Sequence, residues 1–238
     1  QEDYPDPVES LPLASRTNRR EDLLKKWRRR FLGLARMWEK GPWVDEGSFA
    51  GQIAYADGRT FRVGETTIRF THPLFHGVEY AGPGWVLGVV VEHRGKKFLY
   101  SSDLQGPVIE DYAAWIAEER PDALILDGPA TYLLGPFQSK ANLERAIRNC
   151  ATCVRGAGAE LVVLDHHLTR EPKFREKAGA AFLAGAITGA ELMGKAPLTD
   201  YLHQWKEEKT SDEIVALVRQ DLLSADILTP PSYTLLDP

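Results

Sequence analysis

The alternation of apolar and polar positions changes character partway along the chain. Before Asp103, the pattern predicts short antiparallel strands joined by tight turns: Gly51–Val63 with a break at Asp57-Gly58, Thr66–Thr71, Trp85–Glu92 and Lys97–Ser101. After Asp103, helices alternate with short apolar strands: helix Val108–Glu119, strand Ala123–Leu126, helix Lys140–Arg155 and strand Leu161–Leu164. A β-meander that continues into βα units is typical of a layered α/β sandwich, with its sheet covered on at least one face.

Helical patterns flank this middle region. From Ser15 to about Lys40, apolar residues share one face and basic residues share the other: Arg16, Arg19, Arg20, Lys25, Lys26, Arg28, Arg29 and Arg30. This basic face is either simply solvated or an electropositive wall that attracts an anionic substrate. Further helices are predicted near Phe174–Leu192 and Ser211–Leu223. We therefore divide the chain into a principal domain, residues 1–194, and a C-terminal helical extension, residues 195–238.

Composition narrows the class of protein. The chain has 238 residues, 43% of them hydrophobic and 26% charged, with a formal net charge of -5, which is typical of a soluble globular protein. No apolar run approaches the roughly 20 residues that span a bilayer, and the start does not resemble a signal peptide. We expect a cytoplasmic protein without a membrane partner. Cys150 and Cys153 fall on a predicted helix, which favours half-buried thiols over a redox or metal half-site.

Imidazoles and carboxylates follow the ends of three predicted strands. The three segments are Pro73–Gly77 with His76, Ser101–Pro107 with Asp103, and Leu164–His167 with Asp165, His166 and His167. Strands that end at one edge of a sheet hold their side chains rigidly, as metal coordination requires. The sequence therefore predicts that these three segments converge on one cation.

The individual residues carry different alternatives. Asp103 lies too far ahead of the helix at Val108 to be a simple helix cap, which favours a metal ligand. In an alternating backbone only one of His166 and His167 would point at a given metal, and the other, or Asp165, would support it. Asp127 ends the strand Ala123–Leu126 at the same edge. It lines the pocket, hydrogen bonds to a ligand residue or shapes a turn, and these three interpretations stay open.

Taken as an ordered set, five segments resemble a branch of the metallo-β-lactamase fold hydrolases. They are Ile53–Arg59, Phe75–Gly77, Ser102–Pro107, Gly128–Leu133 and Asp165–Arg170, and the resemblance extends to about residue 194. It implies an αββα metallo-β-lactamase-like sandwich with one or two metal ions at one edge.

The same resemblance implies a ligand set. The superfamily takes its first ligands from a His-x-His-x-Asp-His loop, followed by a His, a bridging Asp and a final His. The last three correspond to His76, Asp103 and either His166 or His167. The His-x-His-x-Asp-His loop has no match in this sequence, and the chain begins with Gln1. We therefore expect a sandwich that lacks its N-terminal strands, with the loop cleaved, omitted, lost or supplied by another chain.

For function, the resemblance implies hydrolysis by a metal-activated water, with His76 and Asp103 as catalytic residues. The implied metal is Zn²⁺, as one or two ions, with Mn²⁺ or Fe²⁺ as alternatives. The expected substrate is a small molecule or phosphate-bearing compound, such as a phosphodiester or another ester. An N-terminal fragment or a second copy of the chain is the expected protein partner.

Two other hypotheses remain. The triplet Asp165-His166-His167 after an apolar strand also resembles the signature of the DHH phosphoesterases, although their Asp-x-Asp motif is not found in this sequence. Alternatively, the chain is a non-catalytic module that kept the fold and binds a partner or nucleic acid through the helix of Arg16–Arg30.

Overall fold

The computed structural model describes residues 17–41, 47, 51, 53–79, 81–135, 137–200, 210, 212–213 and 215–216. Its helices are α1 (Thr17–Trp38), α2 (Glu110–Glu119), α3 (Lys140–Gly156), α4 (Phe174–Lys177), α5 (Gly179–Leu183) and α6 (Gly189–Leu192). Its strands are β1 (Thr60–Val63), β2 (Thr66–Phe70), β3 (Leu74–Phe75), β4 (Trp85–Val86), β5 (Val89–His93), β6 (Lys96–Tyr100), β7 (Ala123–Leu126), β8 (Leu161–Leu164) and β9 (Ile187–Thr188).

Seven strands form one sheet in the order β1-β2-β5-β6-β7-β8-β9, and β3 and β4 form a separate two-stranded sheet. The pairs from β1 to β6 are antiparallel. The pairs from β6 to β9 are parallel. The prediction of a meander followed by βα units, and with it an α/β fold, is therefore confirmed.

The core lies between the parallel strands and the helices that cover one face of them. Leu99, Leu124, Leu126 and Leu164 are fully buried there, together with Ile116 of α2. Ser139 directly precedes α3. Its side chain accepts a hydrogen bond from the backbone N–H of Asn142 and so caps the helix. Because α2 and α3 pack on consecutive parallel strands, they fix the ends of those strands relative to one another.

The two cysteines belong to this core. Cys150 and Cys153 are both fully buried on α3, whereas the sequence predicted half-buried thiols. Burial raises the pKa of Cys150, and it raises the pKa of Cys153 to about 12. Since a thiol reacts as its thiolate, these residues act as small apolar side chains.

Three local predictions are wrong. The segment predicted as one strand from Trp85 to Glu92 is split into β4 and β5, and Gly88 between them lies against Trp115, where a Cβ would come 2.7 Å from the indole ring. A turn forms at Asp57-Gly58, where the N–H of Arg59 donates to the carbonyl of Ala56 at 2.9 Å, but the described residues before it form no strand, and the hairpin of β1 and β2 turns at Gly64 instead. The region predicted as helical near Phe174–Leu192 contains the short strand β9 between α5 and α6.

The flanking regions are described in part. α1 packs Trp27 edge-on against Trp85, with 6.1 Å between ring centroids, and Lys25, Lys26 and Arg28–Arg30 are exposed. Both interpretations of the basic face require exposed side chains, so these five residues leave the choice between them open. Ser15 and Arg16, most of residues 195–238 and most of the predicted helix Ser211–Leu223 lie outside the described residues. None of the helices in the described ranges is long and apolar enough to cross a membrane.

Candidate metal centre

The candidate site lies where the parallel strands end. β6, β7 and β8 run in the same direction, with Tyr100 opposite Ile125 and Leu126 opposite Leu164. The carboxyl ends of neighbouring parallel strands meet at one edge of a sheet. Asp103, Asp127 and His167 follow these strands and are therefore brought together, as the sequence predicted.

His76 reaches the same place from the small sheet. It follows β3, where the backbone N–H of Phe75 donates to the Tyr112 hydroxyl of α2 at 3.0 Å. The N–H of His76 itself donates to the carbonyl of Gly84 at 3.0 Å. Phe75 is fully buried. These contacts hold the His76 backbone against the helix that follows Asp103.

Three side chains converge at this edge. His76, Asp103 and His167 each offer one donor atom, and these atoms all lie within 4.8 Å of one another. The Nε2 atom of His167 lies 3.6 Å from Oδ1 of Asp103. The rings of His76 and His167 are nearly parallel, with centroids 5.5 Å apart and planes at 24°. Two nitrogens and one carboxylate oxygen thus face a common point.

Asp127 anchors this cluster from inside the protein. It is fully buried, and its Oδ2 lies 2.8 Å from Nδ1 of His167. The backbone N–H of Gln105 donates to the same oxygen and that of Gly106 donates to Oδ1 at 3.2 Å. Burial raises the pKa of Asp127, and the contact with His167 opposes that rise. The contact orients the imidazole so that Nε2 faces Asp103.

His166 lies beside the cluster, between two carboxylates. Its Nε2 is 2.7 Å from Oδ1 of Asp103, and its Nδ1 is 3.3 Å from Oδ2 of Asp165. Burial lowers the pKa of His166, but the hydrogen bonds to Asp103 and Asp165 outweigh burial and leave the pKa raised. Of the two histidines that sequence reasoning could not separate, His167 therefore joins the three-residue group and His166 contacts the carboxylates around it.

His76 has the opposite electrostatic balance. Its burial lowers the pKa of the imidazole, and the charge of Asp103 only partly opposes this effect. A neutral imidazole keeps a lone pair on one ring nitrogen, which is the form that binds metals. The lowered pKa of His76 therefore favours its neutral form, which can bind a metal.

The loop that carries Asp103 adopts an uncommon backbone conformation. Ser102 and Gln105, on either side of Asp103, have φ angles of 58° and 55°, in the left-handed region that non-glycine residues rarely adopt. The side chain of Gln105 lies against Gly77, where a Cβ would approach its Oε1 to 2.5 Å. Close contact between the two loops therefore requires glycine after His76.

Sequence reasoning gave no role to Gln105 or to Tyr100. The pKa of the Tyr100 hydroxyl is raised by burial and by the negative charges of Asp103, Asp165 and Asp127, so this side chain belongs to the same environment. Gln105 was part of a recognised motif, and Tyr100 lay in the predicted strand Lys97–Ser101, only three residues before Asp103. Proximity along the chain was the available signal for both.

Two further histidines, His72 and His93, lie apart from the cluster. The His72 ring packs on Gly58, and Nδ1 of His93 pairs with the Thr66 hydroxyl at 2.8 Å. His203 lies outside the described residues.

The fold and the cluster define an α/β protein with metal-ligating residue types gathered at the carboxyl edge of its sheet. The chain is 36% identical over 161 residues to a UPF0282 protein of Methanopyrus kandleri, covering 67% of this chain and 54% of the relative. It is 36% identical over 149 residues to a UPF0282 protein of Korarchaeum cryptofilum, covering 60% and 49%. The chain thus spans about half the length of these two relatives.

A third relative is matched more extensively. The chain is 33% identical over 210 residues to a UPF0282 protein of Methanocaldococcus jannaschii, covering 87% of this chain and 70% of the relative. No family model matches the chain. On this extent of similarity, the chain belongs to the UPF0282 family.

Proposed function

We propose that His76, Asp103 and His167 bind a divalent metal ion, zinc first among the candidates, and that the protein is a metal-dependent hydrolase. The observation that carries the proposal is the convergence of one donor atom from each residue within 4.8 Å. Asp127, at 2.8 Å from Nδ1 of His167, adds the carboxylate that commonly orients a metal-binding imidazole.

The types of donor atom in the cluster fit zinc. Imidazole nitrogen and carboxylate oxygen bind zinc at about 2.0–2.2 Å, so two ligands of one ion lie no more than about 4 Å apart. His167 Nε2 and Asp103 Oδ1, at 3.6 Å, already satisfy this limit. Three protein ligands with a remaining open position are typical of catalytic zinc rather than structural zinc. Mn²⁺ and Fe²⁺ accept the same nitrogen and oxygen donors and remain alternatives.

The proposed fold is the metallo-β-lactamase-like arrangement, represented here by one sheet and the helices on its face. What supports it is the location of every cluster residue after a strand, in the chain order His76, Asp103, His167.

When bound, the metal would supply a water of lowered pKa and stabilise negative charge on the substrate. The residues of the chain have separate tasks. Asp127 fixes the His167 ring, and Asp103 brings negative charge into the cluster. His166 holds a proton between its Nε2 and Oδ1 of Asp103, 2.7 Å away, which suits a group that transfers a proton during hydrolysis. The substrate class that these tasks fit is a phosphodiester or another ester.

Zinc content tests this proposal. We expect one or two zinc ions per chain in the purified protein. Both His76→Ala and Asp103→Ala should lose this zinc. Elemental analysis alongside intact mass measures the zinc content. His93→Ala is the matched control, because His93 ends β5 and pairs with Thr66 away from the cluster. Zinc retained in both cluster variants would reject the site.

Hydrolysis is measured on the same preparations. With bis(p-nitrophenyl) phosphate as a generic phosphodiester, the zinc-loaded protein and His93→Ala should release p-nitrophenol, and the two cluster variants should not. Zinc binding without hydrolysis of this compound or of p-nitrophenyl acetate would support the metal centre and contradict the hydrolase.

A further inference from the structure

Tyr132 and Arg170 lie outside the metal cluster but meet at the same edge of the sheet. Each belongs to a 3₁₀ turn, Thr131–Leu133 after β7 and Leu168–Arg170 after β8. Nη1 of Arg170 donates to the Tyr132 hydroxyl at 2.9 Å, and the guanidinium carbon lies 5.5 Å from the centroid of the Tyr132 ring. Both side chains are exposed, so the pair is accessible from solvent.

The turn geometry places Arg170 on the same side of its turn as a cluster residue. His167 has helical dihedral angles, φ −68° and ψ −40°, and directly precedes the turn that ends at Arg170. Side chains three residues apart eclipse one another in a 3₁₀ turn. Arg170 therefore lies on the same side of the turn as His167, whose ring faces Asp103.

The turn is held firmly in this orientation. Leu168 is fully buried, and its backbone N–H donates to the carbonyl of Asp127 at 3.2 Å. Gly128 packs so closely that a Cβ there would lie 2.6 Å from the Leu168 Cβ. The loops after β7 and β8 thus form one unit that carries Asp127, His167, Tyr132 and Arg170.

No carboxylate among the described residues neutralises the charge of Arg170. Within the described part of the chain Arg170 forms no ion pair, and the adjacent Glu171 pairs with Lys177. The Tyr132 oxygen accepts from Arg170, so its own O–H is left to donate, and the guanidinium retains further N–H donors. A positive charge and several hydrogen-bond donors therefore face solvent beside the cluster.

We propose that Arg170 and Tyr132 bind an anionic oxygen group of the substrate, a phosphoryl or carboxylate group, while the bond to be cleaved lies at the metal cluster. This inference rests on the proposed function, since the substrate is that of the same site. Guanidinium groups bind such oxyanions through charge-assisted, often bidentate hydrogen bonds. The Tyr132 hydroxyl holds the guanidinium in place and adds one donor.

Anion titration by isothermal calorimetry tests the inference on the full 238-residue chain, both zinc-loaded and metal-free. Inorganic phosphate and acetate serve as separate probes. Arg170→Gln should weaken binding about tenfold and Tyr132→Phe about threefold, because the first removes a charged donor and the second a neutral one. Arg148→Gln, at an exposed position on α3, is the matched control and should leave the affinity unchanged.

The outcomes separate cleanly. If the two substitutions weaken the binding of phosphate, the bound group is a phosphoryl group. If they weaken the binding of acetate alone, it is a carboxylate, and either result supports the inference. No measurable binding of either anion to the wild type, or equal affinities for all three variants, would overturn it.

If Arg170→Gln does not fold, Tyr132→Phe carries the test, since it keeps the ring under the guanidinium. Failure of zinc binding would refute the proposed function instead, and the metal-free titration still decides the role of Arg170.

Discussion

The two ends of the parallel strands carry charge in different ways. At their amino ends, Nζ of Lys96 lies 2.7 Å from Asp122 and 3.2 Å from Glu160. At the C-terminal end of α2, both Nη atoms of Arg69 donate to Glu119 at 2.8 Å. Each carboxylate in these contacts therefore meets a lysine or an arginine.

At the carboxyl ends, Asp103, Asp127 and Asp165 contact imidazoles. Among the residues described, none of these three carboxylates forms an ion pair with lysine or arginine. An imidazole is charged only when it is protonated, so the contacts described here pair these three carboxylates with no side chain of permanent positive charge. One end of the strands is thus paired with the protein's own lysine and arginine, whereas the other has the residue types of a metal site.

The largest expected effect concerns the packing of the site loops. Ala at Gly128 would place a Cβ 2.6 Å from that of Leu168 and would impose a φ of +79° on a non-glycine residue. We expect Gly128→Ala to lower the free energy of unfolding by about 3 kcal/mol, from overpacking and left-handed strain together.

Gly158 provides the matched control at the other end of the strands. It precedes β8, has a φ of +63° and has open space around it. Gly158→Ala should therefore cost only the strain, about 1 kcal/mol. Urea denaturation measures both variants, and equal losses would show that the site loops are not tightly packed.

The second largest effect is expected on zinc affinity, from removal of the buried carboxylate of Asp127. Asp127→Asn keeps the shape of the side chain but removes the charge that orients His167, so zinc affinity should fall by about 10- to 100-fold. Asp122→Asn, at the ion-paired end, should leave zinc affinity unchanged. Competition with a chromophoric chelator measures both, and identical affinities for the two variants would break the distinction between the two ends.

A smaller effect is expected at the ion-paired end itself. Glu119 is 11% exposed and Arg69 is 39% exposed, so solvent screens the pair in part. Glu119→Gln should lower the free energy of unfolding by about 1 kcal/mol without changing zinc affinity. Chemical denaturation and the chelator assay report these quantities separately, and a loss of zinc from this variant would contradict the account.

The same pair predicts a pH dependence. The hydrogen bonds from Arg69, then the charges and donors of its neighbours, hold the pKa of Glu119 below its usual value. Its contribution to stability is therefore complete above the unfolded pKa, about 4.3, and is lost as the pH falls through the lower folded pKa. The stability difference between wild type and Glu119→Gln should shrink over that interval, and a difference that grows on acidification would show the opposite sign.

The fold was largely predictable because its signals are local. Ala123–Leu126 and Leu161–Leu164 begin and end where the sequence predicts, since short apolar runs between helices leave little choice. The division of Trp85–Glu92 could not be seen, because its two parts pair with different strands in different sheets, β4 with β3 and β5 with β2 and β6. Strand β9 has only two residues and becomes recognisable only when Thr188 pairs with Leu164.

The candidate site was predictable in its members and not in its geometry. The strand-end pattern identifies His76, Asp103, Asp127, His166 and His167. The choice between His166 and His167 depends on which ring Asp127 contacts, and that contact joins residues 40 apart in sequence. The left-handed φ angles of Ser102 and Gln105 were likewise not predictable from residue type, since residues other than glycine rarely adopt them.

Anomalous X-ray diffraction at the zinc absorption edge, on crystals of the zinc-loaded protein, would locate the metal ion itself. We expect a peak within about 2.2 Å of one donor atom each of His76, Asp103 and His167. A peak at other residues, or none at this edge of the sheet in crystals that contain zinc, would contradict it.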